Sequence, residues 1–172
     1  MRVVAGRAKG RRLQAPKGAN TRPTSDRVRE AIFNALGSLD AVEGATVADL
    51  FAGSGAIGIE ALSRGAVAAT FVDVDHRASD AIKANLATTG FEGTLVLRDV
   101  ESWVRSAPSF DVVFADPPYL FDGWPHLFEH VRAGLVVAES DRAIDPGPGW
   151  EVVRSKRYGS TVVTVVRLTS AS

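Results

Sequence analysis

The 172-residue sequence contains no cysteine, which excludes disulfides and thiolate metal sites at the outset. Its three histidines are scattered, a poor basis for a metal cluster, so no resident metal is expected. No apolar run approaches the ~18 residues that suggest a membrane span. The N-terminus also lacks the apolar core of a secretory signal. A soluble cytoplasmic protein with no membrane partner is therefore expected. Net charge is lacking too, because 20 Lys and Arg balance 20 Asp and Glu. On totals alone, a uniformly basic nucleic-acid binder is excluded.

The distribution of that charge reverses the impression. Residues 1–30 hold nine cations (Arg2, Arg7, Lys9, Arg11, Arg12, Lys17, Arg22, Arg27 and Arg29) against Asp26 and Glu30, and the rest of the chain carries the compensating deficit. A basic arm on an acidic body suggests a phosphate-binding surface. Val3, Val4, Leu13 and a glycine-rich middle punctuate the arm, which reads as two short strands in a hairpin rather than a solvated tail. Two parts are expected: an arm over residues 1–20 for nucleic acid, and a single catalytic domain over 21–172. The 45% hydrophobic content suits one packed core. Removing the arm should leave that domain folded.

Beyond the arm, Pro23, Thr24, Ser25 and Asp26 precede Val28, Ile32, Phe33 and Leu36 at helical spacing, the pattern of a capped amphipathic helix ending near Gly37. Strand-like runs (46–51, 68–74, 94–97, 111–115, 135–138) then alternate with helix-like ones (57–64, 77–89, around 127–132). Strands joined by helical crossovers imply a parallel sheet covered on both faces. The last two runs, 150–154 and 161–168, have no room for a helix between them and should pair as an antiparallel hairpin. The expected fold is α/β, with a mostly parallel seven-stranded sheet, an antiparallel C-terminal strand and an N-terminal β-hairpin arm; a parallel sheet finished by such a hairpin resembles that of the Rossmann-fold class I methyltransferases, whose last strand is inserted antiparallel.

The first strand runs into Asp49-Leu50-Phe51-Ala52-Gly53-Ser54-Gly55-Ala56-Ile57-Gly58. In open α/β sheets, ligands bind beyond the carboxyl ends of the strands. Glycines there admit close backbone approach, and the helix N-terminus offers free N–H groups. Gly53, Gly55 and Gly58 also satisfy the dinucleotide fingerprint, with Asp73 near the position of a ribose ligand. A nicotinamide cofactor thus remains an alternative at this loop. Asp49 tilts the reading towards S-adenosylmethionine, because a carboxylate suits the ammonium of that molecule and is awkward beside a pyrophosphate. Asp49, Phe51, Gly53, Gly55, Asp73, Val74, Asp99 and Val100 are the candidate cofactor contacts. In this scheme Asp73 accepts from the ribose hydroxyls and Val74 packs on the adenine. Asp99 accepts from the adenine amine, and Asp75 either touches the ligand or caps the following helix.

The most specific feature is Asp116-Pro117-Pro118-Tyr119, which follows the apolar strand 109–115. Two prolines fix the loop and remove two donors, so the loop presents acceptors. An exocyclic base amine is a poor nucleophile, since its lone pair is delocalised into the ring. Hydrogen bonds from its two N–H groups to the Asp116 carboxylate and the Pro117 carbonyl would favour a pyramidal nitrogen. Tyr119 offers a stacking surface worth about 1–3 kcal/mol per base. Lys156 and Arg157, in the turn of the C-terminal hairpin, should reach the same edge as a second cationic wall.

The sequence closely resembles the bacterial small-subunit (16S) ribosomal RNA guanine-N2 methyltransferases. The likeness rests on the arm around Arg2 to Leu13, the stretch TRPTSDRVREAIFN from Thr21, the loop from Asp49 to Ala66, and Asp116 to Tyr119. It implies transfer of a methyl group from S-adenosylmethionine to guanine N2, in naked ribosomal RNA or within the assembling small subunit. It further implies that Gly53, Gly55, Asp73 and Asp99 surround the cofactor, that Asp116 to Tyr119 hold the guanine, and that the arm and Arg22-Pro23-Thr24 face the RNA. Candidate RNA contacts are then Arg2, Arg7, Lys9, Arg11, Arg12, Arg22, Lys156 and Arg157. Methylation of adenine N6 or of a protein glutamine uses related chemistry and stays open, as does a non-catalytic RNA-binding role. Nothing suggests an obligate dimer, and a monomer is expected.

Overall fold

In the computed structural model, which describes residues 1–19 and 24–169, the apolar spacing after Ser25 forms helix α1 (Asp26–Ser38). The Ser25 hydroxyl caps it by accepting from the Val28 N–H at 3.1 Å, and Val28, Ile32, Phe33 and Leu36 are buried. Five strands, β1 (Thr46–Leu50), β2 (Ala68–Asp73), β3 (Thr94–Leu97), β4 (Phe110–Ala115) and β5 (Ala133–Ser140), run parallel. Helices α2 (Ala56–Ser63), α3 (His76–Thr89), α4 (Val100–Trp103) and α5 (Trp124–His130) connect them. The sheet closes with β6 (Trp150–Tyr158) and β7 (Thr161–Leu168) in the order β3-β2-β1-β4-β5-β7-β6. Since β7 is antiparallel to β5 and β6 antiparallel to β7, β6 runs with the main sheet. Successive strands depart from β1 in opposite directions, so the crevice opens beyond the carboxyl ends of β1 and β4.

Side chains alternate across a strand, and the sheet thereby separates two apolar layers. Val47, Val112, Phe114 and Val137 face α1, α2 and α3, while Leu50, Val113, Val136 and Ala138 face α4 and α5. Two residues on from Val47, Phe114 and Val137, the same alternation aims Asp49, Asp116 and Glu139 at the α1 and α2 side, all at the crevice end. Three adjacent strands therefore deliver three carboxylates to one face.

The arm departs from a regular hairpin. It has a single antiparallel bridge, Arg2 with Arg12, because much of its backbone is bonded to the body. The Val4 N–H donates to both Glu60 oxygens at 3.0 and 3.1 Å, Ala8 N–H to Ser63 Oγ at 2.9 Å, and Gln14 N–H to Asn85 Oδ1 at 2.8 Å. Gly6 wedges onto α2 with φ +85°, where a Cβ would fall 1.9 Å from the Ser63 carbonyl oxygen, so only glycine fits. Val3, Ala8 and Leu13 are buried in the same apolar layer as α1 and α2. The arm thus shares the core, contrary to the expectation that it could be removed without harm to the fold.

Strand β5 is longer than the run 135–138 read in the sequence, the short helix α4 was not foreseen, and two further boundaries differ. Helix α5 starts at Trp124, with Pro125 in its first turn where its missing N–H costs nothing. Strand β6 continues through Arg154, Lys156 and Arg157 to Tyr158, leaving only Gly159 and Ser160 as the turn. It is an edge strand, and charged side chains there protect against pairing with another sheet. Lys156 and Arg157 are paired with Val163 and Val162, next to the carboxyl end of β5, so they remain on the crevice edge.

Candidate active site

The loop after β1 is built around Gly55, the N-cap of α2, whose φ of +77° and close approach to Phe71 and Ile82 disfavour any side chain. Its neighbours are tied to two carboxylates. The Gly58 N–H donates to Asp49 Oδ2 at 3.0 Å, and the Gly53 N–H to Asp73 Oδ2 at 2.9 Å. Asp73 Oδ1 accepts from the Asp75 N–H at 3.0 Å, which holds the carboxylate at the tip of β2. Val74 beside it is 68% exposed, free to meet a flat apolar ligand. Asp75 caps α3, accepting from Arg77 N–H at 2.8 Å and pairing with its guanidinium. Asp99 is exposed at the tip of β3 and caps α4 through Ser102 N–H at 2.9 Å. Val100 turns its side chain into the layer with Trp103 and Val104, so any ligand contact it makes is through its main chain.

Asp116 stands where β4 ends, half-buried, with Tyr119 58% exposed beyond it. The Pro118 carbonyl accepts from Phe121 N–H at 3.0 Å. The Pro117 carbonyl has no partner among the described residues, which leaves it as the acceptor beside Asp116. Phe121 packs edge-on against Phe51 at 5.2 Å and against Trp124 at 5.2 Å, tying the tetrapeptide loop to the glycine loop. The Thr24 hydroxyl donates to Asp116 Oδ2 at 2.8 Å and lies 3.4 Å from both oxygens of Glu139. Arg22 and Pro23 lie outside the described residues.

The three carboxylates on this face have few donors for their burial. Burial, reinforced by the charges of Asp116 and Asp73, pushes Asp49 up to about 8 against the opposing Gly58 hydrogen bond. Burial raises Asp116 to about 6, opposed by Thr24. Glu139 lies well above the ordinary carboxylate range through burial and the nearby Asp116. Such a cluster is suited to a cationic ligand, and a carboxylate near 6 is suited to accepting a proton close to neutrality. Among the described residues no group of His, Asp and Glu is placed to hold a metal.

The family model described as "Conserved hypothetical protein 95" matches residues 1–167. The chain is 38% identical to "Ribosomal RNA small subunit methyltransferase D" of Haemophilus influenzae, over 92% of this chain and 89% of that protein. It is 39% identical to YlbH of Bacillus subtilis, provisionally named an rRNA methyltransferase, over 97% of this chain and 98% of that one. The chain belongs to the bacterial small-subunit ribosomal RNA methyltransferase family. The solved structure of yhhF from Escherichia coli, provisionally described as a methyltransferase, superposes with a TM-score of 0.86 at 30% identity, covering 99% of each chain.

For a member of this family, the basic residues are distributed unevenly about the mouth. Arg2, Arg7, Lys9, Arg11 and Arg12 are exposed, but the arm lies along α2, which at eight residues spans about 12 Å. Gln14 adjoins the glycine loop through Asn85, which also donates to Ser54 O at 2.8 Å. Arg7 lies at the other end, 5.1 Å over the Phe91 ring, near the edge opposite the crevice. Lys156 sits 5.2 Å over the Tyr158 ring. Sequence reasoning missed Glu139 and the inward-facing role of Thr24. An acid closing the apolar run Leu135 to Ala138 was the available signal, readable only once β5 is aligned with β4.

Proposed function

We propose that this chain transfers a methyl group from S-adenosylmethionine to the exocyclic N2 amine of a guanine in small-subunit ribosomal RNA, acting as a cytoplasmic monomer. The observation that carries this reading is the Asp116 carboxylate next in sequence to a Pro117 carbonyl that has no partner among the described residues, at the end of the strand that pairs with the strand of Asp49. The residues present fit the cofactor. Asp49 and Asp73 offer acceptors for an ammonium and a ribose, exposed Val74 suits an adenine ring, and Gly53, with φ +57° and open space where a Cβ would stand, lets a ligand approach the loop backbone. When bound, S-adenosylmethionine would supply a methyl group already activated on a sulfonium, with a neutral thioether as the leaving group.

The protein's share is alignment and proton handling. Asp116 and the Pro117 carbonyl accept from the two N–H groups of N2, which aims the nitrogen lone pair at the methyl group. The proton shed by N2 goes to the Asp116 carboxylate, whose raised pKa of about 6 suits that task. Tyr119 stacks on the base, and the exposed arm cations, apart from Arg7 at the far edge, and Lys156 with Arg157 hold phosphates on either side. The test is to incubate the purified protein with methyl-labelled S-adenosylmethionine and either small subunits or naked ribosomal RNA, then analyse the digested nucleosides by mass spectrometry. Label in N2-methylguanosine is expected. Label in N6-methyladenosine or in a ribosomal protein would refute the assignment.

A further inference from the structure

Glu139 has no place in the chemistry described above, yet it is one of the least accessible acids of the molecule. It is 5% exposed at the end of β5, one residue beyond Ala138, which pairs with Ala115 just ahead of Asp116. Among the described residues its hydrogen-bonding contact is the Thr24 hydroxyl, 3.4 Å from each of its oxygens, while the same hydroxyl lies 2.8 Å from Asp116 Oδ2. A hydroxyl has one proton and two lone pairs. With that proton committed to Asp116 at the shorter distance, Thr24 Oγ1 can only accept from Glu139. An ionised Glu139 would then face a lone pair with no donor, next to a second carboxylate. A protonated one completes the chain.

We propose that Glu139 works as a neutral carboxylic acid that donates to Thr24 Oγ1, so that Thr24 directs its own proton onto Asp116 and fixes that carboxylate towards the target amine. Glu139 is thus a positioning residue acting through Thr24. The groups around it agree. Burial and the charges of Asp116 on β4 and Asp49 on β1 favour the neutral form, and Arg29 on α1 and the Thr24 contact oppose it. Arg29 Nη2 is bonded to Asp26 at 2.9 Å and to the Arg2 carbonyl, its Nε and Nη1 are buried with no partner among the described residues, and no hydrogen bond joins it to Glu139 among those residues. The arrangement also gives the TRPTSDRVREA stretch a task at the reacting centre, through Thr24. The inference rests on the proposed methylation at Asp116.

The test compares Glu139→Gln with Glu139→Ala and Thr24→Ser with Thr24→Val in the full chain. Gln keeps the shape and a donor to Thr24 without any charge, and Ser keeps the hydroxyl. The alanine and valine variants should lose about tenfold or more in turnover with cofactor affinity within a few-fold, and the glutamine and serine variants should recover most of that loss. The acid limb of the pH–rate profile should be preserved in Glu139→Gln and displaced in Glu139→Ala. A glutamine variant as impaired as the alanine one would mean that Glu139 acts ionised, and an unimpaired alanine variant would deny it any role. Either result overturns the proposal. Infrared spectra supply a readout independent of turnover, and usable even if the alanine variant fails to fold. At neutral pH the carbonyl stretch of protonated carboxylic acids should weaken in Glu139→Gln, and an unchanged band would also overturn it. Should the wild type methylate something other than ribosomal RNA, the functional reading falls while the infrared comparison still decides the state of Glu139.

Discussion

Glu60 and Glu139 are buried to almost the same degree, on the same side of the sheet, and are used in opposite ways. Glu60, fully inaccessible in α2, accepts two bonds from the Val4 N–H and one from Arg64 at 3.3 Å. Among the described residues, Glu139 has one shared hydroxyl. The same contrast holds for their surroundings. Ser63 and Asn85, which both donate and accept, complete a seam with the arm, whereas among the described residues Asp49 and Asp116 each have a single donor for a whole carboxylate. Burial alone does not make a reactive acid; burial with donors withheld does. The arm seam spends its hydrogen bonds on holding the fold, and the crevice leaves acceptor capacity for a ligand.

Breaking the arm seam should have the largest effect. Deleting residues 1–13 removes the buried Val3, Ala8 and Leu13 and strips partners from Glu60 and Ser63. Loss of one buried Leu side chain alone costs about 2–5 kcal/mol, and the whole domain is expected to have only about 5–15 kcal/mol. The truncated chain should therefore be unfolded or aggregated by circular dichroism, and a cooperative transition near that of the full chain would contradict the shared core.

Next comes the crevice. Asp116→Ala should lower turnover by about 100-fold, or about 2.7 kcal/mol of transition-state stabilisation, while cofactor affinity by calorimetry stays within a few-fold. Near-normal turnover would remove Asp116 from the mechanism. A smaller effect follows from Asp49, whose folded pKa of about 8 is raised above its ordinary 3.8. Its contribution to stability is complete below pH 4 and lost as pH rises through 8. The ligand-free protein should accordingly melt at lower temperature at pH 8.5 than at pH 6. Asp49→Asn should flatten part of that slope and stabilise the ligand-free protein at the higher pH by at least about 1 kcal/mol. In the wild type, cofactor binding should strengthen with pH over the same window, since the ammonium needs Asp49 ionised. Affinity independent of pH between 6 and 8.5 would refute this.

The smallest effect belongs to the hairpin. Lys156→Ala with Arg157→Ala should weaken RNA binding and lower the salt slope by up to about 2, leaving cofactor affinity unchanged. An unaltered slope in a filter-binding titration would leave RNA recognition to the arm.

The parts of this design that lie on contiguous residues were legible in the sequence. The glycine loop, Asp73, Asp116 to Tyr119, the parallel order of the sheet and its antiparallel finish all follow from local patterns. What was hidden depends on register and distant partners. Glu139 becomes a neighbour of Asp116 only through the pairing of β5 with β4, and Thr24 reaches both across more than 90 positions of sequence. The arm read as a free cationic hairpin because its apolar residues are few. Their true partners, Glu60, Ser63 and Asn85, look like ordinary polar positions of amphipathic helices. Strand β6 was read too short for a physical reason as well: an edge strand is protected by charges, and charges read as turn.

The central claim is that Asp116 presents a guanine N2 amine for methylation in small-subunit ribosomal RNA. Nucleoside mass spectrometry of that RNA from cells lacking this protein, complemented with the wild type or with Asp116→Ala, tests it most directly. One N2-methylguanosine should disappear, return with the wild type and stay absent with the variant. An unchanged N2-methylguanosine content in the deletion strain would contradict the account.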